Sequence, residues 1–335
     1  MISLFFSVVM PAYNAEGHIG DALASLDGQT FRDFEIVVVN DGSTDGTDKY
    51  LEAYASVHTE VTVINQQNTG PLVARRVGVA ASTGEYILFL DADDEFVPEA
   101  LEVIQRQVQK TQAEIVLFSF MSKNDNEVTF EDSDQFCIMS GLNDFAQLQE
   151  VVCEGLSSNL WSKCFKRTLF DDSDYTPFSG MRHGEDWFQL FPLVDAASSF
   201  SVIFDQLYVY NRGDQSGTSS FKHSQLADIC LVCRRLWIYA AKWGGKCPHA
   251  AARGELLNYI YLVKISELSL SPNDEKRDVF KSVSAVMNDS GTFERCRNAA
   301  LRIDNRLVVL ALKYRLWSLA HFIVYVVESI KGRIR

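Results

Sequence analysis

The chain has 335 residues, enough for one large domain or two with an ample core, and its 47% hydrophobic and 22% charged residues are ordinary for a globular protein. A formal net charge of -13 argues against broad binding to a phosphate backbone, which excludes nucleic acid as a partner. The seven cysteines (137, 153, 164, 230, 233, 247 and 296) are an odd, scattered set, as expected of reduced thiols in a cytoplasmic protein, and Cys230-x-x-Cys233 lies in a helical stretch without the second pair a zinc site needs.

In chain order, the start lacks the basic region and small-residue cleavage site of a signal peptide and runs into Pro11 and Asn14, so Ser7–Met10 reads as a first buried strand. Ile19–Leu26 carries a helical apolar stripe, Phe34–Val39 is a second strand and Thr44–Ser56 is helical. Val61–Asn65 is a strand, Leu72–Ala81 a helix and Tyr86–Leu90 a fourth strand. A helix near Pro98–Thr111 and a strand at Glu114–Phe120 follow. Strand–helix alternation with short links predicts a mostly parallel sheet flanked by helices, an α/β fold.

Beyond residue 121 the rhythm breaks. Residues 122–135 read as a loop or hairpin, 142–155 and 159–170 as helical patches, and Ser201–Phe204 and Leu207–Asn211 as strands. From about 222 the pattern is mainly helical, divided near Gly244-Gly245 and Ser271-Pro272. A boundary near 220 separates domain 1–220 from a helical extension, 221–335.

The sharpest local feature is Tyr86-Ile-Leu-Phe-Leu-Asp-Ala-Asp-Asp94, where a buried strand ends in three carboxylates. Ligands bind at that strand edge in open α/β sheets. Clustered like charges repel, so a hard divalent cation with oxygen ligands is expected among Asp91, Asp93 and Asp94. A solvated acidic turn at the start of a helix is the alternative.

Four segments occur in a telling order: Ser7-Val-Val-Met-Pro-Ala-Tyr-Asn14, Val39-Asn-Asp-Gly-Ser-Thr-Asp-Gly-Thr47, Asn68-Thr-Gly-Pro-Leu-Val-Ala-Arg-Arg76 and Leu90-Asp-Ala-Asp-Asp94. Gly184-Glu-Asp-Trp187 and Tyr208-Val-Tyr-Asn-Arg-Gly-Asp-Gln-Ser216 follow. Over about residues 5–220 the set resembles the family-2 glycosyltransferases, enzymes with the Rossmann-like GT-A fold, and most resembles bacterial members that extend capsule, exopolysaccharide or surface glycans. The Gln-x-x-Arg-Trp motif of processive members is absent, which favours one sugar per encounter.

The resemblance implies a UDP-sugar donor. It places Pro11 and Tyr13 at the nucleotide, Tyr13 stacked on the uracil, with Asp41 accepting the uracil N–H and Arg75 supplying positive charge. Arg76 stands where the family usually has Asn and competes for that role. Asp91 is then the ribose ligand, Asp93 the ligand of Mn²⁺ or Mg²⁺ bridging the phosphates, and Arg212 a phosphate contact, with Ser216, Thr218 and Ser219 in the same closing segment. His223 is a further metal-ligand candidate. Asp186 is the expected general base for a single inverting displacement, tuned by Arg182 and His183 and walled by Trp187. Trp161 and Lys163 match a Trp-x-Lys pattern and read as fold and acceptor-pocket elements.

The acceptor implied is a glycan or lipid-linked glycan. A non-catalytic subunit that keeps the fold and supports a partner transferase is the alternative; oligomerisation is left open. A nucleotidyltransferase is disfavoured because the first loop, Pro-Ala-Tyr-Asn, lacks a Gly-rich basic grip. Near the C-terminus Arg297, Arg302, Arg306, Lys313, Arg315, Lys331, Arg333 and Arg335 stand against Asp304 and Glu328. The apolar, aromatic stretch Leu316–Val327 between them is too short to span a bilayer, so residues 306–335 read as a peripheral attachment to the anionic inner face of the plasma membrane. Packing on the protein's own core or on a second subunit is the competing reading.

Overall fold

The computed structural model describes residues 4–124, 127–129, 139–211, 220–271 and 273–330. The chain divides into two compact units, residues 1–145 with 157–213 and residues 146–156 with 214–335, so a short early segment belongs with the helical unit.

The first unit is built on strands β1 (Phe6–Ala12), β2 (Phe34–Asp41), β3 (Val61–Gln66) and β4 (Tyr86–Phe89), hydrogen-bonded in the order β3-β2-β1-β4 and all parallel. The runs are apolar rather than alternating because both faces are covered: Val8, Val9, Ile36, Val37, Val38, Val39, Ile87 and Leu88 are all buried. Helices α1 (Ile19–Asp27), α2 (Thr47–Ala55) and α3 (Pro71–Ala81) make the crossovers. The chain moves outward from β1 to β3, then returns to place β4 on the other side of β1. That reversal opens a crevice at the C-terminal strand ends, and the register sets Ala12 level with Asn40.

Beyond β4 the sheet is mixed. A two-residue β5 (Glu95–Phe96), helix α4 (Ala100–Thr111), β6 (Ile115–Asn124), β7 (Glu127–Thr129), β8 (Lys163–Lys166) and β9 (Phe200–Asn211) complete it, with β8 antiparallel between β4 and β6, and β9 parallel to β6. The helical patch expected at 159–170 is therefore a turn, a strand and a short 3₁₀ turn. Trp161, Phe165 and Leu169 have helical spacing, but Cys164 and Phe165 fill the slot between β4 and β6 from opposite faces and are fully buried. The two strands expected at 201–211 are one, irregular where its pairing with β6 shifts register around Ser119.

Helix α5 (Phe145–Glu154) links to the second unit, and α6 (Glu185–Ala196) returns to the first. The second unit holds α7 (Ser224–Trp243), α8 (Cys247–Ser269), α9 (Asn273–Asp289), a single turn α10 (Thr292–Arg295), α11 (Ile303–Lys313) and α12 (Trp317–Ile330) around Tyr259, Leu262, Val263, Phe280, Met287 and Leu312. Among the described residues no helix is long and apolar enough to cross a membrane.

Candidate active site

The loops after β1 and β2 are laced together. Asn14, at φ +50°, accepts a hydrogen bond on Oδ1 from the Thr44 N–H (2.8 Å), while the Ala15 N–H reaches Thr47 Oγ1 (2.8 Å) and the Gly46 N–H reaches Glu16 Oε2 (3.0 Å). Pro11 lies in β1 opposite Val39, half-buried. Tyr13 stands exposed at the mouth, with the Arg182 guanidinium 5.8 Å from its ring centre and Arg182 in turn bonded to Asn68. Sequence reasoning assigned Arg182 to Asp186; the structure sets it with Tyr13 and Asn68 instead. Asn68 was missed, although it opens the Asn-Thr-Gly-Pro motif.

Asp41, the last residue of β2, is buried and heavily engaged. Its Oδ1 accepts from Gln66 Nε2 (2.7 Å) and the Thr69 N–H (2.8 Å), and its Oδ2 from the Gly70 N–H (2.8 Å) at the entrance to α3. Gly42 makes this fit: its φ is +74°, and a Cβ there would stand 2.7 Å from the Asn68 nitrogen.

Arg75 on α3 is 4% exposed and reaches three acids: Nη2 to Asp91 Oδ1 (2.8 Å), Nη1 to Glu185 Oε1 (3.4 Å) and Nη1 to Asp186 Oδ1 (2.7 Å). The last contact is an ion pair outside hydrogen-bond geometry. Asp186 Oδ1 therefore accepts no hydrogen bond, and Arg75 Nε donates none, among the described residues. Arg76 does not compete, since it pairs with Asp171 (2.9 Å) and lies 4.6 Å over Tyr175.

The acids after β4 separate into three environments. Asp91 meets Arg75 through its carboxylate, while its main-chain N–H donates to the Tyr208 hydroxyl (3.2 Å) and its carbonyl accepts from the Asp94 N–H (3.0 Å). Asp93 is exposed, and its carboxylate forms no hydrogen bond or ion pair with another described residue; crowding by the surrounding atoms, then the charge of Asp91, raise its carboxyl above the usual range. Asp94 is buried, bonded to the Tyr208 hydroxyl (2.7 Å) and the Asn211 N–H (2.8 Å), and burial followed by Asp91 and Asp93 pushes it up to about 9. It is no helix-start residue, because α4 begins at Ala100. A carboxylate left open beside another fits a hard cation that takes one protein ligand and fills its shell with phosphate oxygens.

Asp186 sits in the first turn of α6, entered through Gly184 at φ +71°. Its Oδ2 accepts the Leu160 N–H (3.1 Å), and burial raises its carboxyl to about 7 against the pull of Arg75. Trp187 faces the core, 3% exposed beside Phe191, and so does not wall an open pocket. Trp161 occupies the site face instead, stacked on Tyr208 (4.7 Å) and Tyr210 (5.5 Å). Lys163 is fully buried behind it. His223 precedes α7 in the second unit, against Phe221. Arg212, Ser216, Thr218 and Ser219 lie outside the described residues.

Residues 7–172 match the glycosyl transferase family 2 domain. The chain belongs to that family. Among curated relatives, the family-2 chain is 27% identical over 249 residues to the glycosyltransferase GlyG of Streptococcus pneumoniae, covering 69% of this chain and 79% of GlyG. It is 31% identical over 173 residues to GlyA of the same organism, covering 49% of this chain and 25% of GlyA. The poly(ribitol-phosphate) beta-N-acetylglucosaminyltransferase TarS of Staphylococcus aureus is 30% identical over 210 residues, 61% of this chain and 35% of TarS. The crystal structure of S. aureus TarS 1–349 in complex with UDP-GlcNAc superposes with a TM-score of 0.70 at 18% identity, covering 98% of this chain and 92% of that one. That likeness establishes the GT-A fold. Asp186 and β9 lie beyond the matched family segment.

Proposed function

We propose that this chain is an inverting, metal-dependent glycosyltransferase that moves a sugar from a UDP-sugar to a hydroxyl of a glycan or lipid-linked glycan. One observation carries the reading: Arg75 gathers Asp91, from the proposed donor side, and Asp186, from the proposed acceptor side, at the C-terminal edge of the parallel strands. The TarS structure with UDP-GlcNAc supports a UDP-sugar and makes UDP-N-acetylglucosamine the first donor to try.

Tyr13 would stack on the uracil, with Pro11 beneath that loop. Asp41 Oδ2 has a lone pair left for the base after binding the Gly70 N–H. Asp91, held by Arg75, would take the ribose hydroxyls, and Arg212 would approach the diphosphate. Asp93 would hold Mn²⁺ or Mg²⁺, which supplies Lewis acidity to the departing diphosphate. Asp186 Oδ1 would take the acceptor hydroxyl's proton as that oxygen's electron pair forms the bond to the anomeric carbon. The bond to the diphosphate breaks on the opposite face, its electron pair leaving with the phosphate oxygen, so configuration inverts. A base that titrates near neutrality suits this work.

The lipid-linked acceptor is supported by α11, α12 and the link between them, which expose Leu307, Leu310, Tyr314, Phe322, Tyr325 and Ile330 beside the exposed basic residues Arg306, Lys313 and Arg315. Such a surface fits an anionic inner membrane face. Lys331–Arg335 lie outside the described residues.

The deciding experiment measures binding and hydrolysis of UDP-glucose, UDP-galactose, UDP-N-acetylglucosamine and UDP-N-acetylgalactosamine with Mn²⁺, Mg²⁺ or EDTA. Metal-dependent binding of one donor, lost in Asp93→Ala and kept in Asp186→Asn with turnover gone, is the expected result. No binding of any donor under any condition would return the chain to a non-catalytic supporting role.

A further inference from the structure

The Asp93 carboxylate forms no hydrogen bond or ion pair with another described residue, so the main chain of its turn decides where its oxygens point. Residues 91–94 make a tight turn closed by the Asp94 N–H on the Asp91 carbonyl (3.0 Å). Strand β5 follows at once and pairs antiparallel with the end of β9, Glu95 opposite Val209 and Phe96 opposite Tyr208. The last residues of β9 therefore run beside the turn, although they lie more than a hundred positions later in the chain.

Tyr208 and Asn211 grip the turn from that side. The Tyr208 hydroxyl receives the Asp91 N–H (3.2 Å) and donates to Asp94 Oδ2 (2.7 Å), while the Asn211 N–H donates to Asp94 Oδ1 (2.8 Å). Those bonds fix the two ends of the turn. The Asn211 side chain reaches Asp93 itself: Nδ2 donates to the Asp93 carbonyl (2.8 Å) and to Glu95 Oε1 (3.2 Å). Both partners are acceptors, so the NH₂ of the amide, and not its carbonyl, faces them. Lys123 Nζ donates to the same Glu95 oxygen (3.3 Å) from β6. Among the described residues, the Asn211 amide makes the one hydrogen bond from another side chain to Asp93. A peptide is planar, so holding the Asp93 carbonyl fixes the Asp93–Asp94 peptide plane and with it the direction in which the Asp93 side chain leaves the turn.

Resting on the metal role proposed above for Asp93, we infer that Asn211 is a positioning residue of the donor site: its amide clamps the Asp93 main chain so that the carboxylate is aimed, before any donor arrives, at the place where a divalent cation meets the diphosphate. Asn211 acts through Asp93. The hydrogen-bonded partners of a metal-binding carboxylate carry much of a site's affinity, and losing one typically costs about 10–100-fold.

The test titrates Mn²⁺ into full-length protein saturated with UDP and follows the electron paramagnetic resonance signal of free Mn²⁺, in wild type, Asn211→Leu, Asn211→Ala, Lys123→Met and Asp93→Ala. UDP affinity in EDTA is measured by calorimetry on the same preparations. Asn211→Leu should bind Mn²⁺ about tenfold or more weakly, with metal-free UDP affinity equal to that of wild type. Asn211→Ala removes the same donor without filling its space, should show the same loss, and decides the matter where the Leu variant does not fold. Lys123→Met breaks the neighbouring contact to Glu95 and should hold Mn²⁺ as tightly as wild type. Wild-type Mn²⁺ affinity in the Asn211 variants overturns the inference. So does a metal-free UDP affinity that falls by the same factor, or an equal loss in Lys123→Met, since either marks a general loosening of the strand end. If Asp93→Ala holds Mn²⁺ as tightly as wild type, or wild type holds none, the metal role itself fails and takes the inference with it; a loss in Asp93→Ala beside unchanged Asn211 variants removes the inference alone.

Discussion

Arg75 Nη1 lies 2.7 Å from Asp186 Oδ1, and the same guanidinium holds Asp91 at 2.8 Å, so one buried side chain spans the strand edge of β4 and the first turn of α6. Removing it strands three carboxylates in a region poor in water. Arg75→Met is expected to destabilise the fold by about 3–5 kcal/mol, the range for breaking a buried ion pair from one side. Its turnover should fall by on the order of 10²-fold, because an unpaired Asp186 holds its proton. Arg75→Lys should recover little, since a point charge on a flexible stem cannot reach all three acids. Urea unfolding and donor hydrolysis on the same preparations check both effects.

Asp41 has a structural duty that is separable from any contact with a base. It ties β2 to the Gln66–Gly70 loop through two main-chain N–H groups and the Gln66 amide. Asp41→Asn forces an amide NH₂ against one of those donors, which should cost about 1–3 kcal/mol. The loss should be measurable in nucleotide-free protein by thermal unfolding. UDP binding by calorimetry should weaken further, whereas an unfolding midpoint equal to wild type would show that the loop does not depend on this carboxylate.

Much of the first unit was legible because its strands are buried on both faces, which writes unbroken apolar runs into the sequence and ends them abruptly at Asp41 and Asp91. Position in chain order also revealed which acids meet at one edge. What stayed hidden depends on pairing across long separations. Lys163–Lys166 looks helical until β4 and β6 offer it a slot. Trp187 is buried rather than walling the acceptor site, because burial of a tryptophan is decided by which face of α6 packs inward. Asp94 is distinguished from Asp93 by Tyr208, more than a hundred residues away, whose hydroxyl draws it into the core. No local pattern around residues 91–94 contains that information.

Glu35 gives the first unit a pH-dependent clasp remote from the site. Its Oε1 accepts from Ser7 Oγ (2.6 Å), the Thr83 N–H (2.5 Å) and Thr83 Oγ1 (2.9 Å), joining β1, β2 and the loop that feeds β4. Burial pulls its carboxyl upward, but the hydrogen bonds outweigh burial and hold it below the ordinary value of 4.5. A depressed carboxyl contributes stability that is present above its unfolded value and lost as pH falls through the folded one. Wild type should therefore lose stability below about pH 4.5 more steeply than Glu35→Gln. Urea midpoints between pH 3 and 7 should converge at the acidic end and separate at neutrality; parallel curves would remove Glu35 from the acid response.

The outward faces of α11 and α12 make the last prediction. On α12, Ala320, Ile323 and Val324 pack inward, and Trp317 and His321 bond Glu267 on α8 (3.2 and 2.6 Å), so the helix is seated on its own unit. Phe322 (63% exposed) and Tyr325 (52% exposed) still point away from it. Full-length protein should cosediment with vesicles containing anionic phosphatidylglycerol and be released by high salt, because each basic residue near the surface contributes about 1 kcal/mol that ions screen. Pure phosphatidylcholine vesicles should capture far less. Phe322→Ser combined with Tyr325→Ser should weaken binding by at least about tenfold, since burying one aromatic side chain is worth about 1.5–3 kcal/mol. The double variant should keep donor hydrolysis, because neither residue belongs to the first unit. Vesicle binding unchanged by the double variant overturns this assignment. A dimer in sedimentation equilibrium that the same variant dissociates would assign the face to a second copy of the chain.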